Sequence, residues 1–140
     1  MVDLTPYAEA VNGALASGHP CILATVDPDG RPNLGFKGSM LVFDREHLAY
    51  WERTFGRHLA NVRARPHVAV LYFDYDKRMY VRFYGEAEVH ERGPVRDQIM
   101  ARVVQPELDR DPERKGFGVL IRVTEISEPF KQMAQASATR

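Results

Sequence analysis

The stretch that most constrains this chain is RMYVRFYGEAEV, residues 78–89. Met79, Val81, Phe83 and Val89 fall on one side of it; Tyr80, Arg82, Tyr84, Glu86 and Glu88 fall on the other. A period of two is that of a β-strand, so this segment is a long strand with one face turned to a core. Just before it runs HVAVLYFD, residues 67–74, apolar on both faces and therefore a central strand. Only a short polar turn separates the two, so they pair antiparallel.

The rest of the chain follows from this sheet. Residues 6–17 predict a helix, capped by Thr5, opened by Pro6 and stopped near Gly18. PCILATV reads as a strand that ends in the hairpin signal DPDG. RPNLGFKGSMLVF gives one or two strands with an irregular middle, and EHLAYWE gives another. In RTFGRHLANVRARP, Phe55, Leu59 and Val62 form one helical stripe, with Thr54 as cap and Pro66 as terminator. This geometry sets Arg57 and Asn61 opposite the stripe. GPVRDQIMARVVQ predicts a helix with Val95, Ile99 and Val103 on one side, closed by Pro106. A polar, solvated connector, ELDRDPERK, leads to a last strand, FGVLIRVTEI, and the tail 128–140 is expected to fray or dock on a neighbour. Strands joined by short turns make an antiparallel sheet, and about six of them close into a barrel. The expectation is an α+β fold, a small antiparallel barrel with a few flanking helices, in one domain over 1–140.

Charge and composition remove several functions. Lys and Arg total 19 against 19 Asp and Glu, so no global field attracts nucleic acid or an anionic membrane. No apolar run reaches the roughly 20 residues that span a bilayer, and the N-terminus has no basic signal region. The single cysteine, Cys21, excludes an intrachain disulfide, and a cytoplasmic protein is expected. The five histidines make no ligand pair at helix or strand spacing, so no metal site is expected. Neither a Ser-His-Asp pattern nor a calcium loop is present.

An anion site must then be local. GRPNLGFKGS spaces Gly30 and Gly35 like a nucleotide-triphosphate loop, but Phe36 intrudes before Lys37 and a strand follows instead of a helix. A single phosphate remains compatible, because TFGR opens a helix whose first N–H groups lack internal partners. Gly56 allows close approach there and Arg57 offers a bidentate fork; the other reading of Arg57 is a solvated surface charge. The face of Tyr80, Arg82 and Tyr84 suits an interface or a flat aromatic ligand. The same strand lacks the Gly-aromatic-Gly portion of an RNA-binding strand.

Taken in order, ATVDPDGRPNLGFKGSMLVFDREHLAYWERTFGRHLANVRARPHVAVLYFD, and on through YVRFYGEAEV, resembles the pyridoxamine 5′-phosphate oxidase-like family of FMN-binding split β-barrels. The resemblance covers about residues 21–90 and implies a homodimer with FMN at the subunit interface. It sets Lys37, Gly38 and Ser39 along the phosphate and ribityl chain, with Trp51 and Glu52 flanking that region. Arg57 matches the family's phosphate-binding arginine, and His58 stands where many members carry a second basic residue, usually lysine. Tyr80 matches a position that often presents glutamine to the flavin from the partner chain. True pyridoxamine phosphate oxidases carry C-terminal arginine- and tryptophan-bearing segments that are not in this sequence, so the expectation is a flavin oxidoreductase acting on another small substrate. Its catalytic residues are unassigned; Tyr80 and Arg82 are the candidates if an acid or base exists. Relatives of the fold keep two alternatives open: a deazaflavin (F420) or haem in place of FMN, and a non-catalytic flavin-binding or stress-related module.

Overall fold

The computed structural model describes residues 1–138. Its strands are β1 (Cys21–Val26), β2 (Pro32–Lys37), β3 (Leu41–Val42), β4 (His47–Glu52), β5 (His67–Asp74), β6 (Met79–His90) and β7 (Phe117–Ser127). All neighbours pair antiparallel in one sheet ordered β2-β1-β5-β6-β7-β4-β3, so there are seven strands where about six were expected. The edges of this sheet, β2 and β3, are consecutive in the chain, joined only by residues 38–40. Flat, a sheet of this width would separate its edges by about 29 Å at the usual strand spacing. Such a link reaches about 14 Å at most. The sheet therefore curls until its edges meet, and the meeting line is a seam: β2 and β3 do not pair with each other.

The interior of the curl is the core. Leu23, Leu48, Tyr50, Val70, Tyr72, Val81, Phe83, Val119 and Ile121 are buried there. Each such side chain contributes about 2 kcal/mol by leaving water. Strong curvature needs a local device, and β6–β7 has one: the register slips between Tyr84 and Gly85, leaving Thr124 unpaired on β7. Gly85 is required at this bulge, because a Cβ would sit on the Arg122 carbonyl oxygen.

Helices close the ends and one outer face. The first predicted helix is shorter than its periodicity implied. A 3-10 turn, Thr5–Tyr7, leads into α1 (Ala8–Asn12), and neither has a side-chain cap. α1 stops where the Asn12 side chain turns away to accept the Val42 N–H at 2.8 Å. α2 (Arg57–Ala64) carries Val62 into the barrel core. α3 (Pro94–Arg102) lays Ile99 on Trp51, Ala49 and Leu41 in a second cluster, joined by Val103 beyond its end. Pro106 lies inside a further short helix, α4 (Gln105–Leu108), which takes in the first two residues of the connector; Asp109, Arg110, Pro112, Glu113 and Lys115 beyond it are exposed in a loop. Over its described part the tail is helical: α5 (Pro129–Ala138) follows β7, and residues 139–140 of the predicted tail lie outside the described residues. No helix among the described residues is long and apolar enough to cross a membrane.

One outer face stays bare. Cross-strand partners share a face, which aligns Phe36, Ile22, Leu71 and Arg82 in one row and Leu34, Ala24, Ala69 and Tyr84 in the next. Leu34 is 70% exposed and Phe36 69%. Beside them Phe73 is also exposed.

Candidate functional site

The seam collects most of the residues singled out in the sequence. Lys37 ends β2 facing inward, and its Nζ donates to Glu52 Oε1 at 3.0 Å, from the last residue of β4. Glu52 is fully buried, and its other oxygen accepts from Thr54 N–H (3.0 Å), Thr54 Oγ1 (3.0 Å) and Phe55 N–H (2.9 Å). Burial pushes the Glu52 carboxyl upward, but the Lys37 ammonium and these hydrogen bonds outweigh it and hold the group below its ordinary range. The carboxylate also explains a strained residue: Phe55 has φ 53°, the left-handed region, fixed by its bond to Glu52.

Between β2 and β3, Ser39 replaces the missing ladder. Its hydroxyl accepts from Trp51 N–H at 2.9 Å and donates to Trp51 O at 3.3 Å. The Trp51 ring is buried, its Nε1 donates to Asp111 Oδ2 at 2.8 Å, and the Arg96 guanidinium lies 4.9 Å from its centroid. Gly38 faces the Glu107 carboxylate, where a Cβ would lie 3.1 Å from its oxygen and make the neighbour give way.

The strained turn delivers the chain to α2 two residues later than the apolar stripe implied. Gly56 is the cap residue and Phe55 lies outside the helix, while Thr54 spends its hydroxyl on Glu52 and caps nothing. Ala60 N–H bonds the Gly56 carbonyl, so the N–H groups of Arg57, His58 and Leu59 have no helical partner. The exposed Arg57 guanidinium makes no hydrogen bond or ion pair among the described residues. Asn61 is buried with Leu59 and Val62, not opposite them as expected. It is buried because its Nδ2 donates to Thr25 Oγ1 at 3.0 Å.

His58 adjoins the same hydroxyl: Thr25 Oγ1 lies 2.8 Å from His58 Nδ1. Burial lowers the His58 pKa, the Lys37 ammonium lowers it further and Glu52 opposes, leaving a net decrease. At neutral pH His58 is therefore uncharged, with Nε2 turned toward Asn33 and Gly35. Gly35 permits this: a Cβ there would lie 2.8 Å from Nε2.

Tyr80 is not brought to the seam. Its ring lies at the bare outer face, edge-on to Phe73 (5.6 Å) and Phe130 of α5 (5.5 Å), with Arg82 5.6 Å from its centroid. Thr25 and Asn33 were not singled out as a site: β1–β2 register pairs them, and only the folded chain brings them to His58.

The order of elements around the seam now permits comparison with known proteins. The family model described as pyridoxamine 5′-phosphate oxidase matches residues 7–127. The chain belongs to this family. Among curated proteins none matches it. A candidate pyridoxamine 5′-phosphate oxidase of Lactobacillus delbrueckii is 33% identical, with TM-score 0.67, over 91% of this chain and 99% of that one. The Group A Streptococcus protein HupZ is 26% identical, with TM-score 0.64, over 86% and 91%. An FMN-binding protein of Syntrophomonas wolfei, 17% identical over 88% and 86% with TM-score 0.68, shares the fold.

Proposed function

We propose that the chain is an FMN-binding oxidoreductase that works as a homodimer, with the flavin between the subunits. The observation that carries this reading is the free Arg57 guanidinium beside the unpartnered N–H groups that open α2. A phosphate monoester needs such a set: a fork of donors, backbone N–H groups and a helix start. The uncharged His58 stands in place of the family's usual second cation. Lys37 serves the same site through Glu52, which fixes the 54–55 turn that aims α2.

Bound there, FMN would supply the electron transfer, while these residues bind and orient it. The bare face of Leu34, Phe36, Ile22, Leu71 and Phe73 supports a second copy as the other wall, since monomers rarely leave such a patch to water. In that dimer Tyr80, remote from the seam within its own chain, is available to the partner's flavin.

The test is the absorbance spectrum of freshly purified protein, with mass identification of any released chromophore. Flavin absorbance and FMN are expected. A deazaflavin or a haem would transfer the reading to those cofactors, and a colourless protein that takes up no FMN would refute it. Arg57→Ala is expected to weaken FMN binding by about 1.5–3 kcal/mol, the scale of a charge-assisted hydrogen bond. Reduction by NADH or NADPH with an added acceptor separates an enzyme from a flavin carrier, for which no turnover is expected.

A further inference from the structure

A cleft of about 240 Å³ opens beside the Lys37–Glu52 pair. Leu15, Pro20 and Trp51 give it an apolar wall, and Arg53, Glu107 and Arg110 give it charge. Arg53 Nε is buried and has no hydrogen-bond partner. The nearest acid, Glu107 Oε1, is 3.6 Å from that nitrogen, close enough for ion pairing but beyond a hydrogen bond. Arg110 is exposed, and its guanidinium has no hydrogen bond or ion pair among the described residues. A buried donor without an acceptor is destabilising, and two guanidiniums around one carboxylate leave an excess positive charge at an apolar wall.

We propose that this cleft binds a small organic anion: an apolar body against Trp51, Leu15 and Pro20, with one carboxylate or phosphate head taken by the guanidiniums of Arg53 and Arg110. The assignment of this anion as substrate rests on the flavin reading, because Lys37 and Thr54 border both the cleft and the turn that leads to α2. Binding of the anion itself needs no flavin. Glu107 competes for Arg53, so its carboxylate weakens the site.

The chain's single tryptophan lies in the cleft wall, so its fluorescence reports occupancy directly in flavin-free protein. Benzoate and phenyl phosphate are titrated as probes, with benzamide as the uncharged control. A saturable change is expected with at least one anion and none with benzamide, and the tighter anion identifies the head group. Arg110→Ala, at an exposed position, weakens that binding about tenfold, and Arg53→Lys weakens it by removing the planar guanidinium fork while keeping the charge. Glu107→Gln tightens it, a direction that loss of structure would not produce. The proposal is overturned if neither anion saturates, if benzamide responds equally, or if Glu107→Gln weakens binding. With FMN added, retention of the anion supports a separate cleft, whereas its displacement makes the cleft part of the cofactor site and overturns the proposal. Protein that binds benzoate but no FMN refutes the flavin reading and leaves anion binding intact.

Discussion

The Lys37–Glu52 pair predicts an asymmetry between its two partners. Glu52 is fully buried and accepts four hydrogen bonds, one from Lys37 and three from residues 54–55. Glu52→Ala leaves the Lys37 ammonium, only 10% exposed, without a counter-charge and also frees the turn. Removing one partner of a buried pair costs about 3–5 kcal/mol, and released turn donors that can rehydrate add little, so a loss of about 4 kcal/mol is expected. Lys37→Met removes the ammonium but leaves the carboxylate three donors, and its apolar chain can still lie over Tyr50; a loss of about 2 kcal/mol is expected. Urea unfolding at pH 7 measures both, read as midpoint shifts at constant slope. The pH dependence is a second check. Glu52 sits below its ordinary value of 4.5 when folded, so its contribution is complete above that pH and is lost as pH falls through the folded value. The gap between wild type and Glu52→Ala should therefore narrow below pH 4.5. Equal costs for the two variants, or a gap indifferent to acid, would refute the assignment of Glu52 as the centre of this network.

Three further outcomes are expected. His58 has a folded pKa below its ordinary 6.5, so the unfolded chain binds more protons as pH falls past that value and stability drops; His58→Gln should flatten the slope between pH 7.5 and 5.5 in urea midpoints, and an unchanged slope would count against the uncharged state. Phe36→Asp, at a side chain facing water, should leave monomer stability within about 0.5 kcal/mol but halve the mass in sedimentation equilibrium; a monomeric wild type would remove the second copy from the bare face. Gly85→Ala forces a methyl against the Arg122 carbonyl and should cost about 2 kcal/mol or more by urea unfolding, and a cost under about 0.5 kcal/mol would mean the bulge can move.

Most of the sheet was legible because its signals are local. Alternation identifies β6, and the short turn before it identifies its partner β5. What depends on register was not. Lys37 and Glu52 are fifteen residues apart, and nothing in either neighbourhood says that a seam will bring their tips together. The start of α2 was misread because Phe55 fits the apolar stripe, yet Glu52 draws the Thr54 and Phe55 N–H groups away from the helix. Asn61 looked outward for a similar reason: its partner Thr25 lies on another element. HVAVLYFD is central as expected, but among the described residues its second apolar face is left largely uncovered, with Phe130 of α5 meeting only its Phe73 end.

The candidate sites cluster at the seam for a reason that lies in the sheet itself. Everywhere else the strands spend their N–H and C=O groups on one another. At the seam residues 38–40 cannot, so side chains take over: the Ser39 hydroxyl serves both backbone groups of Trp51, and the Glu52 carboxylate serves the following turn. Polar side chains drawn there to satisfy backbone make a local environment where cations can be held at low exposure. Lys37 and Arg53 are held in this way beside acids, while Arg57 and Arg110, just beyond them, have none among the described residues. The two unpaired guanidiniums thus flank the place where a curled sheet must be mended by side chains, which is where an anionic ligand replaces solvent at least cost to the fold.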